Sequence, residues 1–203
     1  SKKKANSLIK NSSVIFCLDF NNLSRINGLG EIINNSKSMK VLIDHHLDPV
    51  NFYDFAIHND KACATAELVY DFIENMNIKF LDKDISECLY AGILTDTGSF
   101  KFPSTSSKVH RIVADLIDQG ANASKVHGLI YDTNSLDRLQ LMGYSLSKKL
   151  KLASNKKAAY IVLTRDDLLN FNFKKGDTEG LVNYALSIKG VNMATLIIET
   201  KER

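Results

Sequence analysis

Val41-Leu42-Ile43-Asp44-His45-His46 decides the fold: an apolar, β-branched run that spills straight into an acid and two imidazoles. Val14-Ile15-Phe16-Cys17-Leu18 behaves alike and ends on Asp19. Short unbroken apolar runs of this kind read as strands buried on both faces, as in a parallel sheet. Between the two, Leu23, Ile26, Leu29, Ile32 and Ile33 recur at helical spacing. Strand, helix, strand is the signature of parallel α/β architecture. A third apolar segment, Ala91-Gly92-Ile93-Leu94-Thr95, is helix-like and ends on Asp96, with Thr97-Gly98-Ser99 after it.

Outward from these, residues 52–57 form a further strand candidate. Helices are expected over 64–76, 84–94 and 106–119, the last with a Gly120 stop. Ser135–Leu150 carries one apolar stripe (Leu136, Leu139, Met142, Leu146, Leu150) and reads as a longer helix. Beyond it come a strand over 158–163, a short helix over 165–169, a helix over 177–186 and a strand over 193–198. The pattern change places one domain at 1–130, a connector helix within 131–157 and a smaller α/β domain at 158–203.

At 203 residues and 44% apolar composition the chain can bury a sizeable core. Its net charge of +3 is too small to support polyanion binding by bulk electrostatics. Lys2-Lys3-Lys4 and Lys148-Lys149 are short runs that read as solvated surface. The three cysteines, Cys17, Cys63 and Cys88, make no CxxC pair, and their odd number argues against a disulfide framework and for a reducing, cytoplasmic setting. No apolar stretch approaches the roughly 18 residues of a membrane span, and no signal peptide is recognisable, so no membrane partner is expected.

In an open α/β sheet, ligands bind beyond the carboxyl ends of the strands. Asp19 and His45 both stand there, and Asp96 joins them if its loop folds back. Mixed carboxylate and imidazole donors suit a six-coordinate divalent ion, Mn²⁺ first, with Mg²⁺, Co²⁺ or Fe²⁺ as options. Two ions roughly 3.5–4 Å apart would activate water and neutralise phosphoryl charge, with Asp19 as the shared ligand. Asp44 then orients an imidazole by accepting its hydrogen bond, and His46 is free for substrate phosphate or a proton. On spacing alone the bland alternative stands beside this: a lone Asp at a strand end as turn former or helix cap, two adjacent histidines as surface residues. Thr97-Gly98-Ser99 is either a phosphate cradle or only a turn. His58, His110 and His127 have no comparable setting.

Taken in order, these segments resemble the motifs of the DHH phosphoesterases. Val41–His46 is similar to the name-giving motif, Cys17–Ile26 to the motif with an aspartate and a downstream arginine (here Asp19 and Arg25), and Gly92–Phe100 to a later one. Ala64–Tyr70 and Gly176–Tyr184 are similar to the branch of bifunctional oligoribonucleases (nanoRNases) and pAp phosphatases. The resemblance implies an α/β fold: a parallel-sheet DHH domain joined to a smaller DHH-associated domain that grips substrate. It implies a two-metal site, usually Mn²⁺, with Asp19 bridging, His45 and Asp96 as terminal ligands and His46 on the phosphate. Ser99 and Phe100 would face substrate.

The implied reaction is hydrolysis of short single-stranded oligoribonucleotides to mononucleotides and of 3′-phosphoadenosine 5′-phosphate (pAp) to AMP. A homodimer is compatible with it. Within the family the alternatives are an exopolyphosphatase or pyrophosphatase and a cyclic-dinucleotide hydrolase; outside it, a catalytically dead nucleotide-binding module. The family's first motif, a histidine and two aspartates, and its glycine-rich C-terminal motif have no counterpart in these residues. Both domains are therefore expected to be incomplete here, and this segment alone is expected to be weak in metal binding or inactive.

Overall fold

The computed structural model describes residues 2–77, 80–154 and 156–199. They fall into two compact units, residues 1–130 and 131–203.

The first unit opens with a helix, α1 (Lys2–Asn11), and then builds a parallel three-stranded sheet in the order β1 (Val14–Leu18), β2 (Met39–Asp44), β3 (Phe55–His58). A 3-10 turn (Leu23–Ile26) and α2 (Leu29–Asn34) make the crossover from β1 to β2, the connection that two parallel neighbours require. As the central strand, β2 is buried most deeply: Leu42, Ile43 and Asp44 are all inaccessible or nearly so. Cys17 is likewise buried, beside Ile33 and Leu42, as a small core residue.

Four helices complete the unit: α3 (Thr65–Asn77), α4 (Lys83–Asp96), α5 (Ser107–Asp118) and α6 (Ala123–Tyr131). Ile93, Leu94, Val109 and Leu116 form the centre of their shared core. Asp82 caps α4 by accepting from the Ile85 N–H, and Ser106 caps α5 by accepting from Val109. The expected helices here are all present. α1 and α6 are additional.

In the second unit, α7 (Leu136–Tyr144) runs into a π-helical segment (Ser145–Lys149) and then a strand, β4 (Leu150–Leu152). The helix expected as a connector thus lies inside this unit, with Leu141 buried in its core, and its last residues are extended. Leu146 and Leu150 fit a helical stripe equally well, and only pairing with the next strand draws Leu150 out of it. That strand is β5 (Ala158–Leu163), which pairs antiparallel with β4 and parallel with β6 (Met193–Ile198). Ala159, Ile161 and Leu163 face Leu141, Leu181 and Ala185 across the core. Two short helices, α8 (Arg165–Asn170) and α9 (Leu181–Leu186), finish the unit. α9 is shorter than expected, since residues 177–180 form turns and Gly180 adopts a left-handed φ of 80°.

Lys4 is exposed, as a solvated surface residue should be; the side chains of Lys2 and Lys3 lie outside those described. Lys149 departs from the surface reading. Its ammonium sits 2.6 Å from the buried carboxylate of Asp167.

Candidate metal centre

The carboxyl ends of β1 and β2 deliver the key side chains by register. Leu18 pairs with Ile43, so Asp19 and Asp44 leave the sheet side by side, and the Asp19 N–H still donates to the Ile43 carbonyl (3.2 Å). Asp19 turns there with a φ of 64°, a left-handed conformation that Asp tolerates better than most residues. The last residue of α4, Asp96, reaches the same place.

The nitrogen Nε2 of His45 lies 3.6 Å from Asp19 Oδ1 and 3.8 Å from Asp96 Oδ2. Its other nitrogen, Nδ1, is 3.2 Å from the Ala62 carbonyl. A carbonyl only accepts, so Nδ1 carries a proton there, and Nε2 is the nitrogen turned toward the two acids. His46 also has its Nδ1 engaged, but by a side chain. Its Nδ1 donates to Asp44 Oδ1 at 2.7 Å, and Asp44 is wholly buried. The two rings meet edge to face, with centroids 4.9 Å apart. Asp44 therefore orients an imidazole as expected, and the one it orients is His46.

Donor atoms from Asp19, His45 and His46 lie within 4.8 Å of one another. Burial raises the Asp96 carboxyl above its ordinary range, and the Asp19 charge raises it further, against the opposing pull of His45 and His46. Two acids pressing on each other around imidazole nitrogens form a donor set that a divalent cation completes. Mixed oxygen and nitrogen donors suit such an ion. Cys63 lines the same cleft, but burial, then the neighbouring Glu67 and Asp96, push its thiol up to about 12. A protonated sulfur is a poor ligand. The cleft itself, about 560 Å³, is lined by His45, His46, Asp96, Asn21, Asp60 and Ser104 among others.

The two expected substrate-facing residues stand elsewhere. Phe100 packs into the helical core, its ring 6.2 Å from Tyr90 and 5.6 Å from His110. Ser99 is exposed on the adjoining turn, and neither lines the cleft. Nor is Thr97-Gly98-Ser99 an anion cradle. The N–H groups of Gly98, Ser99 and Phe100 are spent on Thr95 O, Leu94 O and Thr97 Oγ1. Left-handed φ values at Gly98, Ser99 and Phe100 (56°, 61° and 65°) make this a tight reversal. A Cβ on Gly98 would meet the Phe102 ring at 2.6 Å.

The contacts of three residues escaped the sequence reading. His58, opposite Asp44 in register, donates from Nε2 to the His46 carbonyl at 2.7 Å. Asn21 fastens the two loops together, donating to Leu47 O at 2.7 Å while its own carbonyl accepts from Val50. Thr65 donates to Asp19 Oδ1 at 2.9 Å. Strand pairing could have suggested the first; the others depend on loop paths that spacing does not encode.

The sequence model of the DHH family's N-terminal domain matches residues 1–93. Residues 1–93 carry a DHH-family domain match. The chain is 27% identical over 172 residues to the bifunctional oligoribonuclease and PAP phosphatase NrnA of Bacillus subtilis, a match covering 84% of this chain and 53% of that protein. It is 36% identical over 157 residues to an uncharacterised protein of Mycoplasma genitalium, covering 77% of this chain and 47% of the relative. The crystal structure of an exopolyphosphatase-related protein from Bacteroides fragilis superimposes with a TM-score of 0.90 at 38% identity, over 94% of this chain and 56% of that one. The chain thus spans about half the length of the curated relatives it matches. Among the described residues no helix is long and apolar enough to cross a membrane.

Proposed function

We propose that the DHH protein carrying this sequence is a metal-dependent phosphoesterase that releases mononucleotides from short oligoribonucleotides and AMP from pAp. The observation that carries the reading is the convergence of Asp19, His45 and Asp96, with His45 presenting Nε2 to both acids at 3.6 and 3.8 Å. Asp19, His45 and Asp96 would hold the cation, Mn²⁺ by preference, with Asp19 shared where two ions bind. Bound there, the cation supplies Lewis acidity and an activated water.

The protein's own groups do the rest. Asp44 locks the His46 ring through a charge-assisted hydrogen bond, so that the protonated ring can donate from Nε2 to a phosphoryl oxygen of the substrate. Asp44 thereby acts on the reaction through His46. The open cleft, about 560 Å³, admits a terminal phosphate with its nucleoside. The names of the NrnA relatives support this substrate class, and the three free cysteines fit a reducing cytoplasm.

The test is hydrolysis of di- to pentaribonucleotides and of pAp by the whole protein with Mn²⁺. Turnover of both, lost in His45→Ala and Asp96→Ala, is expected; undiminished turnover in either variant overturns the site. The exopolyphosphatase-related relative favours a second reading, polyphosphate as substrate. It wins if polyphosphate is consumed faster than pAp in parallel assays.

A further inference from the structure

The start of α3 does more than begin a helix. Thr65 is its first residue and is buried, 6% exposed, yet its hydroxyl points away from the helix and donates to Asp19 Oδ1, 46 positions earlier, at 2.9 Å. That same oxygen faces His45 Nε2 at 3.6 Å and His46 Nδ1 at 4.0 Å. It is the point on which the cluster converges.

Asp19 needs an anchor. It has left the sheet in a left-handed turn, and its side chain is 56% exposed. A half-exposed carboxylate is free to rotate about its own bonds, and fixing it costs entropy at the moment a ligand binds. The Thr65 hydroxyl meets that cost in advance, in the folded protein. The helix, in turn, does not depend on this hydroxyl. Its first turn is closed by Glu67, whose carboxylate reaches back to the Cys63 N–H at 2.9 Å and is itself braced by Lys108 at 3.0 Å. The same entry segment fixes His45 through the Ala62 carbonyl. One stretch of four residues, 62–65, thus holds both an acid and an imidazole of the cluster.

We propose that Thr65 is a positioning residue: its hydroxyl presets the Asp19 carboxylate in the orientation that lets Asp19 and His45 share a divalent cation. This rests on the metal-centre reading above.

The experiment measures Mn²⁺ binding to the whole protein without substrate, by electron paramagnetic resonance of free Mn²⁺, beside thermal melting in chelator. Thr65→Val replaces the hydroxyl by a methyl in a buried place, so its metal-free melting temperature stays at or above the parent's. Its Mn²⁺ affinity falls about ten- to a hundredfold, the usual loss when a ligand's supporting hydrogen bond is removed. Thr65→Ser keeps the hydroxyl and binds within a few-fold of the parent. If valine does not fit and the variant melts early, Thr65→Ala gives the same affinity loss by the same route. Parent-like Mn²⁺ affinity in a folded variant lacking the hydroxyl, or serine binding no better than valine, overturns the role of Thr65. A parent protein that binds no Mn²⁺ at all overturns the metal centre instead.

Discussion

Both units place acids just past the carboxyl ends of parallel strands, and the two sets meet opposite fates. Past β1 and β2 and at the end of α4, Asp19 and Asp96 stay half exposed, press on each other and face imidazoles and the Thr65 hydroxyl. Past β5, Asp167 is buried and fully engaged: Lys149 stands at 2.6 Å, the Tyr144 hydroxyl donates at 2.8 Å, and the Thr164 N–H and hydroxyl both donate at 2.8 Å. Past β6, Glu199 accepts from the Arg165 N–H. Strand-end placement is thus shared by both sets. Whether the protein itself supplies the countercharge separates an acid kept for a ligand from an acid spent on the fold.

The sharpest break of this comparison is Asp19→Asn in the whole protein. Removing one charge of the unbalanced set should lower Mn²⁺-dependent phosphodiester turnover about a thousandfold, while melting in chelator stays near the parent's or rises as repulsion on Asp96 is relieved. Assay and melt are run on one preparation. Loss of fold, with activity lost only in proportion, would move Asp19 into the structural class with Asp167.

Core truncation comes next. Leu42→Ala in the first unit and Leu163→Ala in the second each empty a fully buried site and should destabilise by about 2–5 kcal/mol. Leu42 lies two residues before Asp44, so its loss should also weaken Mn²⁺ binding; Leu163→Ala should not. Chemical denaturation with metal titration separates the two.

These cases show how much was legible. The strands over 13–18 and 41–43 and the helices over 64–76, 84–94 and 106–119 carry periodicities that tertiary packing leaves intact. The convergence of Asp19, His45 and Asp96 was legible because strand ends in an open α/β sheet bring such side chains together. Phe100 was misread because its place after Asp96 says nothing of a left-handed reversal that turns the ring inward. β4 was hidden because Leu146 and Leu150 satisfy helix and strand alike. Thr65 and Ala62 stayed invisible because a hydroxyl or a carbonyl in a loop has no pattern. Lys149 looked like surface because only Asp167, across the fold, gives it a reason to be held.

A smaller effect follows at Asp44. Asp44→Asn keeps shape and burial but replaces a charge-assisted bond to His46 with a neutral one. Turnover should fall about ten- to a hundredfold with Mn²⁺ affinity nearly constant, because His45 is oriented separately by Ala62. An affinity loss as large as the rate loss would show that the two histidines act as one unit.

The mildest test is pH, and it sets the two kinds of acid against each other directly. Burial opposes ionisation of Asp167, but Lys149, the Thr164 N–H and hydroxyl, and Tyr144 outweigh it and hold the carboxyl well below the usual carboxylate range. A group depressed in the folded state stabilises above its unfolded value, near 3.9, and that stability is lost only as pH falls further through the folded value. Asp96 in metal-free protein runs the other way. Burial and the Asp19 charge raise it, so the folded state takes up its proton first and stability falls as pH rises through the window above the unfolded value. Melting of chelator-treated protein should therefore show, as pH falls toward the ordinary carboxylate range, a slight gain that Asp96→Asn abolishes and Asp167→Asn leaves alone. Below about pH 4 the pattern inverts, and only proteins that keep Asp167 lose its contribution there. Mn²⁺ should erase that gain, since a cation on Asp96 removes the reason for it to hold a proton. A gain that persists in Asp96→Asn would assign it to another group and leave the unbalanced set without a thermodynamic signature.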